Sequence, residues 1–236
     1  MVKTRFTKYI AGLLCLCGFL LVHTSLDAQS RKLPEAIQPY FAAAGEQPMR
    51  PDVDGFILRW LLLEPISMPI KGNTVFTDSY LKEKFNASYF PGQQDVLPKD
   101  GATVKVGKEK LRWHALDSKL YNVKLFRFAT SLDKTRYGVL FWAVTIIDSP
   151  REMTDVRLSV GSNSASMWWL NGEEAVMLEG DRRMVRDDVV SRKLTLKKGR
   201  NVLRGAVING PGMSDFCVRF IDGQGNPVRD ITIHVK

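Results

Sequence analysis

The chain has 236 residues, of which 44% are hydrophobic and 25% charged, with a formal net charge of +9. That balance is ordinary for a globular protein and excludes a disordered or fibrous chain. The basic surplus is spread out, with small clusters at 105–110, 182–186 and 197–204, and neither a basic helix nor an aromatic-and-basic motif marks a nucleic-acid binder. Such a surface is a solvated one, tolerant of anionic glycans or cell-surface polymers.

The first 28 residues have the three parts of an export signal. Lys3, Arg5 and Lys8 form a positive segment, residues 10–22 are an uncharged run of 13, and Leu26-Asp27-Ala28 offers a cleavage site that leaves Gln29 first. The run falls short of the ~20 apolar residues of a spanning helix. Residues 1–28 are therefore expected to be removed, leaving no membrane span and a net charge of +7. The expected location is periplasmic, extracellular or at the cell surface. Cleavage removes Cys15 and Cys17, so Cys217 has no partner for an internal disulfide and reads as a small strand residue.

Residues 29–54 read as an extended lead-in, punctuated by Pro34, Pro39, Pro48 and Pro51, with a short helix expected within 35–44. A strand follows at 56–63 and stops at Glu64-Pro65, because proline cannot donate to a sheet ladder. A helix is expected near 80–85, and Pro91-Gly92 and Pro98 mark loop beyond it. Strands 103–106 and 110–115 flank Gly107 as a hairpin. From there the pattern predicts strands near 124–130, 137–147, 154–161, 165–171, 174–178, 190–196, 201–208, 215–221 and 228–235. Turn signals separate them, the sharpest being Asn171-Gly172, a pair suited to a type I′ hairpin because both positions need φ > 0.

Alternation supports these strands. Val156, Leu158 and Val160 interleave with Asp155, Arg157 and Ser159, which predicts one buried face and one wet face. Many short strands with Gly, Pro and Asn turns indicate an all-β fold, an antiparallel sandwich over residues 55–236 with one or two short helices in its N-terminal part. The absence of βαβ alternation disfavours a parallel α/β enzyme fold.

The order of motifs resembles a known family. The segments are W-L-L-L-E-P-I (60–66), R-L-S-V-G-S (157–162), W-L-N-G (169–172), L-K-K-G-R-N-V-L (196–203) and V-R-F-I-D-G-Q-G-N-P-V (218–228). Together they resemble galactose-binding-like jelly-roll accessory domains, and in particular the non-catalytic N-terminal regions of Bacteroidetes acetylxylan esterase-like secreted proteins. The resemblance implies a jelly-roll sandwich associated with polysaccharide breakdown. Relatives often carry acidic residues after the G-S, where this chain has Asn163-Ser164-Ala165.

The chemistry of an esterase is not legible. A serine hydrolase needs a nucleophile, a base and an orienting acid, and Gly161-Ser162-Asn163-Ser164-Ala165 lacks the closing glycine of a nucleophile elbow. His234, two residues from the chain end, reads as a surface strand position. Asp187 and Asp188 are adjacent, so on a strand they would point to opposite faces. Sugar binding calls for an aromatic platform and fixed polar groups. The candidates are Trp113 with His114, Tyr121 with Asn122, and the Arg182, Arg186, Asp187 loop; Trp168 joins them if strand alternation turns it to a wet face. Asp52 and Asp54 are candidate ligands for a structural Ca²⁺, and no other cofactor is implied.

Two roles stand against each other at this point. The first is a non-catalytic glycan-binding module whose partner is a poly- or oligosaccharide. The second is a scaffold for a partner carbohydrate-active enzyme, with no glycan contact of its own. A small hydrolase with an unrecognised site is the third and weakest reading.

Overall fold

A computed structural model of the protein describes residues 33–236 apart from Lys71 and Asp181. The expected signal peptide lies outside the described residues. The early strands are β1 (Phe41–Ala43), β2 (Arg59–Leu63), β3 (Ile66–Ser67), β4 (Thr103–Val106) and β5 (Glu109–Ser118). The middle ones are β6 (Val139–Ser149), β7 (Met153–Ser162), β8 (Ala165–Leu170) and β9 (Glu173–Leu178). Strands β10 (Val189–Val190), β11 (Leu194–Leu196), β12 (Gly199–Asn209), β13 (Phe216–Ile221) and β14 (Thr232–His234) complete the set. Helices α1 (Asp78–Asn86) and α2 (Leu125–Ser131) are short.

The strands form an all-β sandwich of two antiparallel sheets, as the alternation predicted. The large sheet has the order β1-β5-β2-β6-β12-β8-β9, with β3 and β14 also on β6 and β4 also on β5. In the small sheet β7 is central, flanked by β10, β11 and β13. Asn171 and Gly172 have φ of 54° and 86° and join β8 to β9, the type I′ geometry their identities predict. Asn171 does more than turn the chain: its side-chain oxygen accepts from the Val202 N–H at 2.9 Å, tying the hairpin to β12.

One expected strand is a helix. The strand expected at 124–130 is replaced by α2 (Leu125–Ser131), in which Leu125, Phe128 and Ala129 are buried. Their spacing of three and four places one apolar stripe on the core, and a continuous apolar run conceals that period. In the lead-in, Glu35–Ile37 is a single 3₁₀ turn, and β1 then pairs with β5 through Phe41 and Ser118. Ile37 and Phe41 thereby enter the core.

Period-2 alternation sorts the large sheet into two apolar faces. Trp60, Leu62, Phe141, Ala143, Trp168, Leu203 and Val207 face the small sheet. Leu61, Leu63, Trp142, Val144, Met167, Trp169 and Ala206 face outward, where Leu81 and Phe85 of α1 and Phe90 cover them. Val156, Leu158 and Val160 of β7 and Phe216, Val218 and Phe220 of β13 supply the other half of the inner core. No described helix is long and apolar enough to cross a membrane.

The sheets meet at an aromatic triad. Trp60 and Trp168 of the large sheet are 5.9 Å apart, and Phe216 of the small sheet lies 5.1 Å from one and 5.0 Å from the other, all near edge-to-face. Trp168 is fully buried, so the wet face considered for it does not exist; its indole N–H donates to Ser166 Oγ at 3.1 Å. The indole fits because Gly205 lies beneath it: a Cβ there would stand 2.3 Å from Trp168 Cζ3. Overpacking of this kind costs about 1–3 kcal/mol. Gly205→Ala should therefore lower the urea unfolding midpoint by that equivalent with native secondary structure retained, and an unchanged midpoint would show that the two sheets can separate to admit a methyl.

Candidate functional site

The outward residues of the small sheet are of a different kind from those of the large one. Asp155, Arg157 and Ser159 of β7 lie on the face opposite Val156, Leu158 and Val160, and Arg219 of β13 pairs with Ser159 across the strands. This polar face is where the charged loops of the chain converge.

Its centre is a network around Asp187. Ser159 Oγ donates to Asp187 Oδ1 at 2.5 Å, Arg219 Nε donates to the same oxygen at 2.9 Å, and Arg219 Nη2 pairs with Oδ2. Arg219 Nη1 also donates to the carbonyl of Asp54 at 2.6 Å. Asp187 holds a left-handed backbone, φ 55°, which a short polar residue tolerates and which aims its carboxylate down at the sheet. Burial pushes the Asp187 pKa up, but hydrogen bonds from Arg219 and Ser159 and the charges of Arg219 and Arg186 outweigh it, and the net shift is downward.

Beside this network Arg186 caps two aromatic rings. Its guanidinium carbon lies 4.1 Å from the Tyr121 ring centre and 5.5 Å from that of Phe56, and those two rings are 5.4 Å apart. Arg219 also lies over Phe56, 5.1 Å from its ring centre. Such cation–π contacts hold a guanidinium flat while leaving its N–H groups available. Arg186 Nη1 reaches Asp54 Oδ2 at 3.3 Å, and both side chains are about half exposed, 50% and 49%.

An open polar cleft of ≈ 640 Å³ lies at the end of the same face, lined by Arg151, Asp155, Asp222, Gln224, Arg229 and Asp230 among others. Arg229 Nη1 donates to the Val53 carbonyl at 3.2 Å, next to Asp54, which connects the cleft to the arginine network. Asp222 is held below the ordinary carboxylate range by the backbone N–H of Asn226, with the Gln224 N–H adding to it.

The structure thus brings Tyr121, Arg186, Asp187 and Asp54 together from separate segments. It does not bring the other candidates to this face. Trp113 is 3% exposed and packs its edge against Phe90 in the outer cluster of the large sheet. His114 is buried on the inner side, Nε2 3.2 Å from Glu64 Oε1, beside Phe128. Asn122 is buried, and its carbonyl accepts from Ser118 Oγ at 3.4 Å. Arg182 Nε donates to Asp188 Oδ2 at 2.7 Å, and its Nη1 to the Glu179 carbonyl, bracing the base of the loop.

Asp52 and Asp54, the candidate ion ligands, both make contacts within the protein. Asp52 Oδ1 accepts from the N–H groups of Asp54 and Phe56 at 3.0 and 2.8 Å, a local turn, while Asp54 turns to Arg186. Calcium takes six to eight oxygens, and no cluster of three or more His, Cys, Asp or Glu side chains suited to a metal is found among the described residues. Cys217 lies under the same loop, 4.0 Å from the Met184 sulfur; burial pushes its thiol up to about 12 and leaves it unreactive.

Phe56 and Arg219 complete the site without having been picked out from the sequence, and Ser159 joins them. Ser159 was marked by the alternation of 155–160, which identified the wet side of that strand.

No family model matches the sequence, and no curated protein matches it. Among solved structures the chain is similar to a β-glucosidase from Kluyveromyces marxianus in complex with glucose, with 16% identity and a TM-score of 0.40 over 72% of this chain. It spans 17% of that enzyme's length. It is also similar to a PA14 sugar-binding domain from an RTX adhesin, with 8% identity and a TM-score of 0.39, over 73% of this chain and 95% of that domain.

The Asp187 network has a pH signature. A carboxylate whose pKa is depressed on folding stabilises the protein above its unfolded value, about 3.9, and loses that contribution as pH falls through its folded value. Asp187→Asn keeps a residue that tolerates the left-handed backbone but removes the charge. The variant should be less stable than wild type by about 1 kcal/mol at pH 7, and the gap should narrow as urea midpoints are followed below the unfolded value of about 3.9. A gap independent of pH would mean that the carboxylate charge contributes nothing.

Proposed function

We propose that this chain is a non-catalytic, carbohydrate-associated module of an exported bacterial protein linked to polysaccharide breakdown, with residues 55–236 as a glycan-binding sandwich. The observation that supports it is the polar outer face of the small sheet. A pyranose offers hydroxyls that both donate and accept, and it is held best by planar groups fixed in place before it arrives. Arg186 and Arg219 are fixed by rings and carboxylates, and Asp54 stands half exposed beside them. The edge of Tyr121 supplies an aromatic wall, and the cleft past Arg229 has length for further sugar units.

Binding suits these carboxylates better than hydrolysis does. A general acid needs a pKa raised toward neutrality. Asp187 and Asp222 are both held below the ordinary range, so each stays ionised and accepts hydrogen bonds.

Native affinity gels containing xylan, pectin or host glycans test the reading, with Tyr121→Ala and Arg186→Ala run beside wild type. At least one polymer should retard the wild-type chain, and each variant should weaken retardation about tenfold, the loss expected for a hydrogen bond to a charged group. No retardation on any polymer would sink the reading and promote the scaffold role. Ester or glycoside hydrolysis by clean protein would overturn its non-catalytic part.

A further inference from the structure

Three segments meet at one end of the large sheet, where Val139 of β6 pairs with Ser67 of β3 and Asn209 of β12. They are residues 68–70, the 132–138 loop between α2 and β6, and the 210–213 loop that follows β12. Asn209 is buried, and its Nδ2 donates to the Arg136 carbonyl at 2.6 Å and to the Gly212 carbonyl at 3.4 Å. The Met68 N–H donates to the Gly138 carbonyl at 2.7 Å. These bonds tie the three segments into one surface.

A ladder of rings and guanidinium groups runs over it. Arg127 of α2 lies 5.3 Å from the Tyr40 ring centre and 5.9 Å from that of Phe126. Arg136 lies 5.3 Å from both the Phe126 and the Tyr137 centres, and those two rings are 5.8 Å apart. Both arginines are exposed, and among the described residues neither makes an ion pair. Asp215, whose charge Arg127 feels at a distance, is buried and held by Lys124 Nζ at 2.7 Å. The carboxylate of the loop itself, Asp133, lines a neighbouring polar cleft with Glu109 and Lys110.

Tyr137 belongs both to this ladder and to an open, mostly apolar cleft of ≈ 510 Å³, whose other walls include Pro69, Ile70 and Pro211. Tyr137 is 45% exposed, and Met213, next to Gly212 of the same cleft, 44%. Tyr, Phe, Met and Arg are the side chains enriched at protein interfaces, and Tyr and Arg carry much of their binding energy. Stacking on the rings fixes each guanidinium before a partner arrives and leaves its N–H edge available. The pair of uncompensated cations calls for an acidic partner. A second copy of this chain does not meet that need, because both copies carry the same excess of positive charge.

We propose that this end of the sandwich docks an acidic segment of a different protein, an aromatic side chain of that segment seated in the cleft beside Tyr137 and its flanking carboxylates accepting from Arg136 and Arg127. The cleft selects the anchor by apolar burial, and the arginines select the flanks by charge. The proposal does not rest on the glycan reading, which uses other residues.

Fluorescence-anisotropy titration of the full chain against labelled polyanions tests it, the probes being a random glutamate–tyrosine copolymer, poly-L-glutamate and polygalacturonate. The copolymer should bind, and poly-L-glutamate should bind about tenfold more weakly for want of an anchor. Tyr137→Ser should weaken the copolymer and leave poly-L-glutamate unchanged. Arg127→Gln and Arg136→Gln should each weaken both polypeptides about tenfold. Arg200→Gln, the same change of charge at an exposed position of β12, should stay within about twofold of wild type. No copolymer binding below about 1 mM, equal binding of the two polypeptides, or an equal loss in Arg200→Gln would each overturn the proposal. Polygalacturonate binding that falls in Arg136→Gln as far as copolymer binding does would overturn it in favour of a second glycan site. A wild-type dimer dispersed by Arg136→Gln would overturn it in favour of a second copy.

Discussion

The contact of Trp60, Trp168 and Phe216 is the constraint on which the molecule depends. It joins the two sheets, and it exists because Gly205 offers no side chain where the Trp168 indole must lie. Aromatic rings carry the largest apolar area of any side chain, so their burial dominates the driving force at this seam. Once they are buried, the inner surfaces of both sheets are committed to the core. The outer surface of the large sheet is covered in turn by α1 and the loop that follows it. The uncovered sheet face that remains for polar chemistry is that of β7 and β13.

That face is organised by salt links that run between distant parts of the chain. Residues 54, 121, 186–187 and 219 meet there, and none of them could be placed without the sandwich beneath. A rigid sheet with polar loops laid across it is the usual division of labour in binding proteins: the scaffold fixes position and the loops supply chemistry. The left-handed Asp187 and the Gly161 position, where a Cβ would stand 1.9 Å from the Val185 carbonyl, both hold the 182–188 loop against the sheet.

Much of the fold was legible in the sequence because it depends on local patterns. Alternation placed β7 and its wet side, and Asn171-Gly172 placed the β8–β9 turn. Helix α2 was not legible, since a run such as Val123-Lys124-Leu125-Phe126 satisfies a strand and a helix alike, and packing decides between them. The site was legible in part. Tyr121, Arg186, Asp187 and Asp54 were each conspicuous for their own chemistry, yet sequence does not show that they share one surface. Phe56 and Arg219 read as ordinary strand residues. Trp113 and Trp168 drew attention as sugar platforms, but tryptophan is large enough that folding usually spends it on the core. The serine-rich turn at 161–166 is likewise internal: Ser164 Oγ donates to Asn209 Oδ1 and Ser162 Oγ to the Asp215 carbonyl, each at 3.1 Å.

The central claim is that the outer face of the small sheet, and not the large one, receives the glycan. Amide chemical-shift mapping on the labelled chain, titrated with soluble oligosaccharides released from the polymer that retards it, addresses this most directly. The account predicts perturbations confined to residues 53–56, 155–159, 185–188 and 219–224, with the 90–104 segment unmoved. Perturbations centred on the 90–104 segment, or spread evenly over both sheets, would contradict it.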